Sequence, residues 1–207
     1  LHAGGWNYSR YQHMFRDQDP ALFEVRSRQG ENLLYLICGP YCDTRQHFFF
    51  NCRPIYQGGL KSLYDQAQAQ LSRAQSEEER DFLRAASEGL LCLKKIAEKF
   101  SIAARGRLQQ ASEPEEIANL KRIADSAAHV PWHAPRSFYE ALNTLAFIRT
   151  VCGALEGVGY NSFGRPDVDL YPFYTRDVAE GRLTPEEAYD LIRAFLLTWD
   201  YHYDHDM

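Results

Sequence analysis

Apolar residues recur at helical spacing through most of the chain from about residue 60 onward. An apolar side chain at every third or fourth position forms one stripe on a helix, and a helix of a folded protein buries such a stripe against a neighbour. Five stripes follow this rule. They are Leu60, Leu63, Tyr64, Ala67 and Leu71; Phe82, Ala86, Leu93, Ile96 and Phe100; Ile117, Leu120, Ile123 and Ala124; Phe138, Ala141, Leu142, Leu145, Ile148 and Cys152; and Ala188, Leu191, Ile192, Phe195, Leu196 and Trp199.

Helix starts are marked by a serine or threonine that is followed three residues later by glutamate. In this capping box the hydroxyl accepts a hydrogen bond from a free backbone N–H, and the carboxylate accepts one from the N–H of the capping residue. Pro185 suits the first turn of the last helix, where an N–H would have no partner. The first capped helix is predicted to run to about Leu108. The predicted boxes are Ser76 with Glu79, Ser112 with Glu115, Ser137 with Glu140, and Thr184 with Glu187.

Prolines and glycines predict where these helices end. Val130 precedes Pro131, and a residue before proline is driven out of the helical region, so one helix should end there. Residues 153–164 carry four glycines and predict a loop. A short helix over 169–178, opened at Pro172, should end with Gly181 as its C-terminal cap.

The first 55 residues are the least regular part of the sequence. Two short apolar runs, 33–38 and 48–50, are bounded by turn formers and could be strands. The pattern as a whole predicts a mainly α chain, with an irregular segment over 1–55 and a helical layer over 56–207.

Composition and charge argue against several classes of function. The formal net charge is -5 and no run of Lys or Arg stands out, which argues against a nucleic-acid partner. No apolar stretch reaches the length of a membrane span. The five cysteines are irregularly spaced, and Cys38 with Cys42 lacks a second pair at zinc-site spacing, so we expect free thiols in a reducing cytoplasm. Because the chain opens on Leu1 rather than Met, we expect a piece of a longer protein.

Three polar clusters are candidate functional sites, but a structural interpretation is favoured for each. The segment 200–206 alternates His, Tyr and Asp, a ligand set that suits zinc or iron, but a solvated terminal segment is favoured. His129 and His133 flank Trp132 and suggest a pocket, although surface imidazoles in a helix connection are favoured. Arg165 and Asp167 are expected to fix loop geometry. No metal site is predicted.

Three ordered motifs carry a resemblance to a known family. Residues 130–142, with Pro135-Arg136-Ser137-Phe138 and Glu140-Ala141-Leu142, are similar to Val-Pro, a short spacer, then Pro-Ala-Arg-Thr-Phe-x-Glu-Ala-Leu. Residues 162–174 match Ser-x-Gly-Arg-x-Asp-x-x-Leu-Tyr-Pro-x-Tyr. Asp177 and residues 181–188 match an acidic residue, Gly-Arg-Leu-Thr and Glu-Glu-Ala. Over about 75 residues the chain thus resembles the pyruvate formate-lyase domain of glycyl radical enzymes.

The resemblance implies a fold and a chemistry. The fold is a ten-stranded α/β barrel wrapped by helices, of which this mainly α chain would be part. A glycine carries a radical installed by an activating enzyme with an iron–sulfur cluster, and a central cysteine becomes the thiyl radical that attacks substrate. Both landmarks normally lie beyond the last residue of this chain, so no catalytic residue and no bound cofactor are expected in it. Cys152 is interpreted as a core residue. Substrate contact is expected from Ser162, Asn161 and His47.

Two hypotheses from different classes follow. The first is the N-terminal portion of a cytoplasmic glycyl radical enzyme that cleaves a C–C, C–O or C–N bond of a small anaerobic metabolite. The resemblance allows three partners for it, namely a small-molecule substrate, the activating enzyme and a second copy in a homodimer. The second hypothesis is a non-catalytic helical scaffold or binding module derived from that family. The full reading frame would distinguish them, because only the enzyme needs a radical glycine and a catalytic cysteine.

Overall fold

The computed structural model describes the backbone of residues 50–156 and 164–204, and within these ranges the side chains of 50–152 and 164–197. Every regular element in these ranges is a helix, which confirms the mainly α prediction. The helices are α1 Arg53–Leu71, α2 Glu77–Leu108, α3 Pro114–His129, α4 Phe138–Glu156, α5 Pro166–Asp169, α6 Tyr171–Ala179 and α7 Pro185–Asp204. The runs predicted as strands, 33–38 and 48–50, lie almost wholly outside the described residues.

The chain divides into two compact units. One joins residues 1–50 with 148–164, and its described part is mainly the second half of α4, where Ile148 and Val151 are buried. The other joins 51–147 with 165–207 and contains the remaining helices. None of the helices described is long and apolar enough to cross a membrane.

Helix α1 begins earlier than its apolar stripe predicts and is interrupted. It starts at Arg53 with Pro54 in the first turn, and Gly59 inside it has φ 70° and ψ 175°. Only glycine adopts this region without strain. The regular helix therefore restarts at Leu60, where the sequence stripe begins, while the short turn before it buries Ile55 and Tyr56.

Helix α2 has the predicted start and end. The Glu79 N–H donates to Ser76 Oγ at 3.1 Å, and Glu79 Oε2 accepts from the Ser76 N–H at 3.4 Å. The helix ends at Leu108, with Arg105 and Arg107 in its last turn, where positive charge is favoured by the helix dipole. Helix α2 packs against both α1 and α3. Its contact with α3 buries a small cluster of Ala104, Leu120 and Ala124, next to Leu108, Ala111 and Ile123.

The capping box predicted at Ser112 is wrong. Glu113 occupies the cap position of α3, Pro114 follows as the first helical residue, and no side chain caps the helix. A cap at Ser112 would require Glu113 to be helical, and a residue before proline disfavours that conformation. The other end is as predicted, because Val130 closes α3 in an extended conformation before Pro131.

Helix α4 has half of its predicted capping box. Ser137 Oγ accepts from the Glu140 N–H at 3.2 Å, but the Glu140 carboxylate accepts from the Arg136 N–H at 2.7 Å. The apolar stripe from Phe138 to Ile148 is buried, whereas Cys152 is half-buried, so the interpretation of Cys152 as core holds only in part. The helix continues to Glu156 and so occupies the start of the predicted glycine loop.

Two helices replace the single short helix predicted over 169–178. Helix α5 and helix α6 are separated by Leu170, and Pro172 lies in the first turn of α6. Gly181 ends α6 as predicted, with φ 68°. Its N–H donates to the Val178 carbonyl at 3.1 Å and the next N–H, from Arg182, donates to the Asp177 carbonyl at 2.8 Å, which is the Schellman arrangement.

Helix α7 has the predicted capping box but an uncovered stripe. The Glu187 N–H donates to Thr184 Oγ1 at 3.1 Å, and Glu187 Oε2 accepts from the Thr184 N–H at 2.8 Å. Ala188 is buried, whereas Ile192 and Leu196 are 41% and 51% exposed. Side chains after residue 197 are outside the described set, so the candidate ligands over 200–206 stay untested.

Candidate functional site

The three residues predicted to contact substrate lie outside the described part of the chain. Asn161 and Ser162 fall within 157–163, and His47 precedes residue 50. Their roles stay predictions. On either side of this gap the structure describes the first motif, 130–142, and the third, Asp177 with 181–188, and it brings these two motifs together.

Asp177 joins the two motifs. Its side chain is 4% exposed, and its Oδ1 accepts from Arg182 Nη2 at 2.6 Å. Its Oδ2 accepts from the backbone N–H of Phe138 at 2.7 Å. That N–H is the first of α4 and has no partner within the helix. A carboxylate at this end also interacts favourably with the helix dipole, so Asp177 fastens α6 to the start of α4. We call Phe138, Asp177 and Arg182 the Asp177 junction.

Neighbouring charged residues extend the junction. Arg176 Nη2 donates to the Arg136 carbonyl oxygen at 2.7 Å, across the same pair of segments. Arg136 in turn pairs with the buried carboxylate of Glu140, with Nη2 and Oε1 separated by 2.5 Å. The segment before α4 is therefore held by its backbone and by its side chains.

Aromatic side chains fill the space beside these charges. The rings of Phe138 and Tyr174 meet edge to face with centroids 6.0 Å apart, and those of Tyr56 and Phe173 do so at 5.8 Å. Burial raises the pKa of the Tyr56 phenol, and the neighbouring Cys52 and Asp169 raise it further. Tyr56 is therefore a neutral hydrogen-bonding group at physiological pH, which suits a structural role.

A second fastening holds the beginning of the α3–α4 connection against α1. Because Gly59 breaks α1, the N–H groups of Leu60 and Lys61 have no helical partner. They donate to the carbonyl oxygens of Pro131 and Trp132, at 2.8 and 2.9 Å. A Cβ atom at Gly59 would lie 2.3 Å from the Trp132 oxygen. We call Gly59, Leu60, Lys61, Pro131 and Trp132 the backbone clasp.

Two histidines lie next to the clasp. The rings of His129 and His133 stack with centroids 5.1 Å apart, and His129 Nε2 donates to the Ala134 carbonyl at 3.0 Å. Partial burial lowers the pKa of His133, and the positive charges of His129, Lys61, Lys94 and Arg136 lower it further. The exposed ring of His133 agrees with the surface imidazoles favoured from the sequence rather than with a pocket.

Arg165 and Asp167 form the loop-fixing pair that the sequence predicts. Arg165 Nε and Nη2 donate to the two carboxylate oxygens of Asp167 at 2.9 and 2.7 Å. Hydrogen bonding from Arg165 lowers the pKa of Asp167. Both side chains are exposed, so the pair orients the start of α5 and adds little stability.

The structure describes three of the five thiols. Cys52 is buried at the start of α1 beside Tyr56, Cys92 is exposed on α2, and Cys152 is half-buried in α4. Within the residues whose side chains are described, no three His, Cys, Asp or Glu gather as metal ligands would.

Sequence reasoning missed the two residues that organise this region. Asp177 entered only as the acidic residue of the third motif, and Gly59, just before the first apolar stripe, was not singled out. A usable signal for Asp177 was Gly181-Arg182, because a helix that ends in a Schellman arrangement turns the next residue back toward its last turn. Nothing local to Gly59 indicated that its partner is residue 132.

Comparison with known proteins extends over most of the chain. The family model described as "Pyruvate formate lyase-like" matches residues 36–203. Isethionate sulfite-lyase from Bilophila wadsworthia (strain 3_1_6) is 34% identical over 97 residues, which cover 46% of this chain and 12% of that protein. The probable dehydratase YbiW from Escherichia coli (strain K12) is 28% identical over 191 residues, which cover 87% of this chain and 22% of that protein.

The fold is similar to that of a solved dehydratase structure. The glycerol-bound form of the B12-independent glycerol dehydratase from Clostridium butyricum superimposes with a TM-score of 0.69 at 21% identity, over 75% of this chain and 20% of that one. The chain thus spans about a fifth of the length of this structure and less than a quarter of either curated relative. The matched residues include both motifs that meet at Asp177, and the chain belongs to the pyruvate formate lyase-like family of glycyl radical enzymes.

Proposed function

We propose that this chain is the N-terminal portion of a glycyl radical lyase or dehydratase that acts on a small metabolite. The observation that carries the proposal is the family match over residues 36–203. The names of the relatives support the reaction class, since one is a sulfite-lyase and another a probable dehydratase. Which bond is cleaved, C–S, C–O, C–C or C–N, is expected to depend mostly on residues outside this chain.

In this proposal the chain supplies helices that wrap a ten-stranded α/β barrel, within a partial pyruvate formate-lyase domain spanning 1–207. The radical glycine and the thiyl cysteine are carried elsewhere in the parent protein. What the described residues do is structural, because the Asp177 junction and the backbone clasp fix both ends of the connection that leads into α4.

The substrate-contacting role proposed for Ser162, Asn161 and His47 follows from the second motif and the first 55 residues. Asn161 and Ser162 lie in the sequence between α4, which ends at Glu156, and α5, which begins at Pro166. A hydroxyl or amide there can hydrogen-bond a substrate hydroxyl or acid group, and each such bond contributes about 0.5–1.5 kcal/mol net. In full-length enzyme, Ser162→Ala should lower turnover without changing radical yield or melting temperature.

The partners proposed for the parent protein follow from the family. They are a small-molecule substrate, a separate iron–sulfur activating enzyme and a second copy in a homodimer, in the cytoplasm. Size-exclusion chromatography with light scattering of the full-length protein tests the homodimer.

The deciding experiment compares the full-length protein with the 207-residue chain. Each is treated anaerobically with the activating enzyme and examined by electron paramagnetic resonance. We expect a glycyl radical signal, and turnover of a 1,2-diol or a hydroxyalkylsulfonate, from the full-length protein only. A radical signal from the 207-residue chain would contradict the division of roles. A full-length protein without radical or turnover would favour the helical scaffold instead.

A further inference from the structure

One side of helix α2 is covered by α1 and α3, and another side is open. The covered side buries Ser87, Ala97, Ser101 and Ala104. The open side carries four uncharged residues at spacings of three and four, which places them in line along a helix. All four are exposed, Phe82 to 72%, and Gly89 has open space where a Cβ would lie. We call this line of residues, Phe82, Ala85, Gly89 and Cys92, the outer row.

Four charged residues flank the outer row on one side. Asp81 and Glu88 are acidic and lie toward the start of α2. Lys95 and Lys99 are basic and lie further along it. Spacings of seven and four residues bring all four to nearly the same direction around the helix. All four are exposed, and among the described side chains only Asp81 of the four has an ion-pair partner, the exposed Arg84 at 3.4 Å. The flank therefore changes from acidic to basic along α2, and three of its charges are free to pair with another molecule.

This distribution of charge is complementary to itself when a second copy of α2 packs antiparallel to the first. In an antiparallel pair of helices related by a twofold axis, the flank of one helix meets the same flank of the other, and every contact occurs twice. If Gly89 lies opposite Cys92 of the second copy, Glu88 comes next to Lys95 of the second copy. A parallel pair in register would instead set each charge against its own copy, which is unfavourable. The charges thus favour the antiparallel direction.

The same register continues the contact away from the axis. Asp81 comes next to Lys99 of the second copy, and the aliphatic stem of that lysine can cover the Phe82 ring. The stretch from Asp81 to Lys99 is about 27 Å long. Small residues such as Ala85 let the helix axes approach to about 8 Å, the short end of the usual range. A contact of this size is below the roughly 800 Å² per partner of a standard interface, so the dimer should dissociate reversibly.

We propose that the outer row and its charged flank form a contact between two copies of this protein, antiparallel about a twofold axis between Gly89 and Cys92. The proposal rests on the homodimer proposed above for the parent protein and names the surface through which it forms. It is independent of the radical chemistry. Pairing of Glu88 with Lys95 of the second copy fixes the direction of the two helices.

Charge reversal tests the register. Glu88→Lys and Lys95→Glu should each weaken the dimer of the full-length protein about tenfold, because each turns two attractive contacts into repulsive ones. The double variant restores both pairs between copies and should recover the original dissociation constant. Within one helix the two residues lie roughly 10 Å apart along the axis, so they do not pair with each other. Sedimentation equilibrium measures the dissociation constants.

Lys121→Glu is the matched control for the charge reversals. Lys121 is exposed on α3, outside the outer row and its flank, and the substitution makes the same change of charge as Lys95→Glu. It should leave the dissociation constant unchanged. Melting temperatures of all the variants check that the fold is retained.

The exposed thiol of Cys92 tests the position of the axis. A short bismaleimide should link two chains of the full-length protein, and Cys92→Ser should abolish the link while the dimer persists. The proposal is overturned if the protein is a monomer, if the double variant dissociates as readily as the single ones, or if the rest of the parent chain shields Cys92 from thiol reagents. A protein that forms this dimer but no glycyl radical would contradict the proposed function and leave the interface standing.

Discussion

The connection between α3 and α4 is fastened at its two ends by different physical means. At the backbone clasp, two N–H groups of a broken helix donate to two carbonyl oxygens, and no side chain takes part. At the Asp177 junction, one buried carboxylate accepts from a backbone N–H and an arginine. The clasp depends on the absence of a side chain at Gly59, whereas the junction depends on the presence of one at Asp177. Substitutions should therefore affect the two ends in different ways.

The largest effect should come from Gly59→Ala. The new Cβ would lie 2.3 Å from the Trp132 oxygen and 2.6 Å from His133 Cα, at a backbone conformation that only glycine favours. Strain and overpacking together should lower the free energy of unfolding by about 3–5 kcal/mol. Urea denaturation monitored by circular dichroism measures this loss.

Substitutions at two other glycines separate backbone strain from overpacking, the two causes of the stability loss expected for Gly59→Ala. Gly181 has φ 68° and open space where a Cβ would lie, so Gly181→Ala should cost about 1–2 kcal/mol from backbone strain alone. Gly89 lies inside α2 with open space around it, and Gly89→Ala should stabilise by about 0.5–1 kcal/mol. Equal losses at Gly59 and Gly181 would show that contact with the connection is unimportant.

The next largest loss of stability should come from substitutions in the Asp177 junction. Asp177→Ala leaves the Phe138 N–H without its acceptor and Arg182 without its partner, and should cost about 2–4 kcal/mol. Asp177→Asn keeps an acceptor but removes the charge, so its loss should be about half as large. Asp167→Asn breaks an exposed pair and should leave stability unchanged. The junction would be unimportant if Asp177→Ala and Asp167→Asn had the same denaturation midpoint.

A smaller loss of stability is expected at the start of α2, which takes no part in the backbone clasp or the Asp177 junction, and none at the start of α3. Ser76→Ala removes the hydroxyl that accepts from the Glu79 N–H and should cost about 1 kcal/mol. Ser112→Ala should have no effect, because the cap of α3 is Glu113 and no side chain caps that helix. Melting temperatures of the two variants compare a formed capping box with one that only the sequence suggests.

The smallest expected effect is a pH dependence of stability that comes from His133, next to the backbone clasp. Burial and neighbouring positive charges lower the pKa of His133 in the folded chain, so near pH 6 the unfolded chain binds more protons. The contribution of His133 to stability is therefore fully present above its unfolded pKa of about 6.5 and is lost as the pH falls. Melting temperatures at pH 7.5 and 5.0 should differ less in His133→Gln than in the original chain. An equal difference would exclude this contribution.

Most helix boundaries could be predicted from the sequence, because capping and termination are local. Ser76 and Glu79, Thr184 and Glu187, and Gly181 act over three or four residues, and each forms the predicted hydrogen bonds or backbone turn. The exception at Ser112 is also local, since Pro114 excludes the helical conformation that the preceding residue would need. The family could likewise be recognised, because ordered motifs at fixed spacing survive in the sequence.

The sequence alone determined most of the helices after residue 60 and the family of the chain, since both follow from residues close together along the chain. Only the tertiary structure decided that Gly59 meets Trp132 and that Asp177 meets Phe138, contacts across 73 and 39 residues respectively. Such contacts depend on how helices pack, and the hydrophobic stripes that drive packing do not specify which residues meet at the ends.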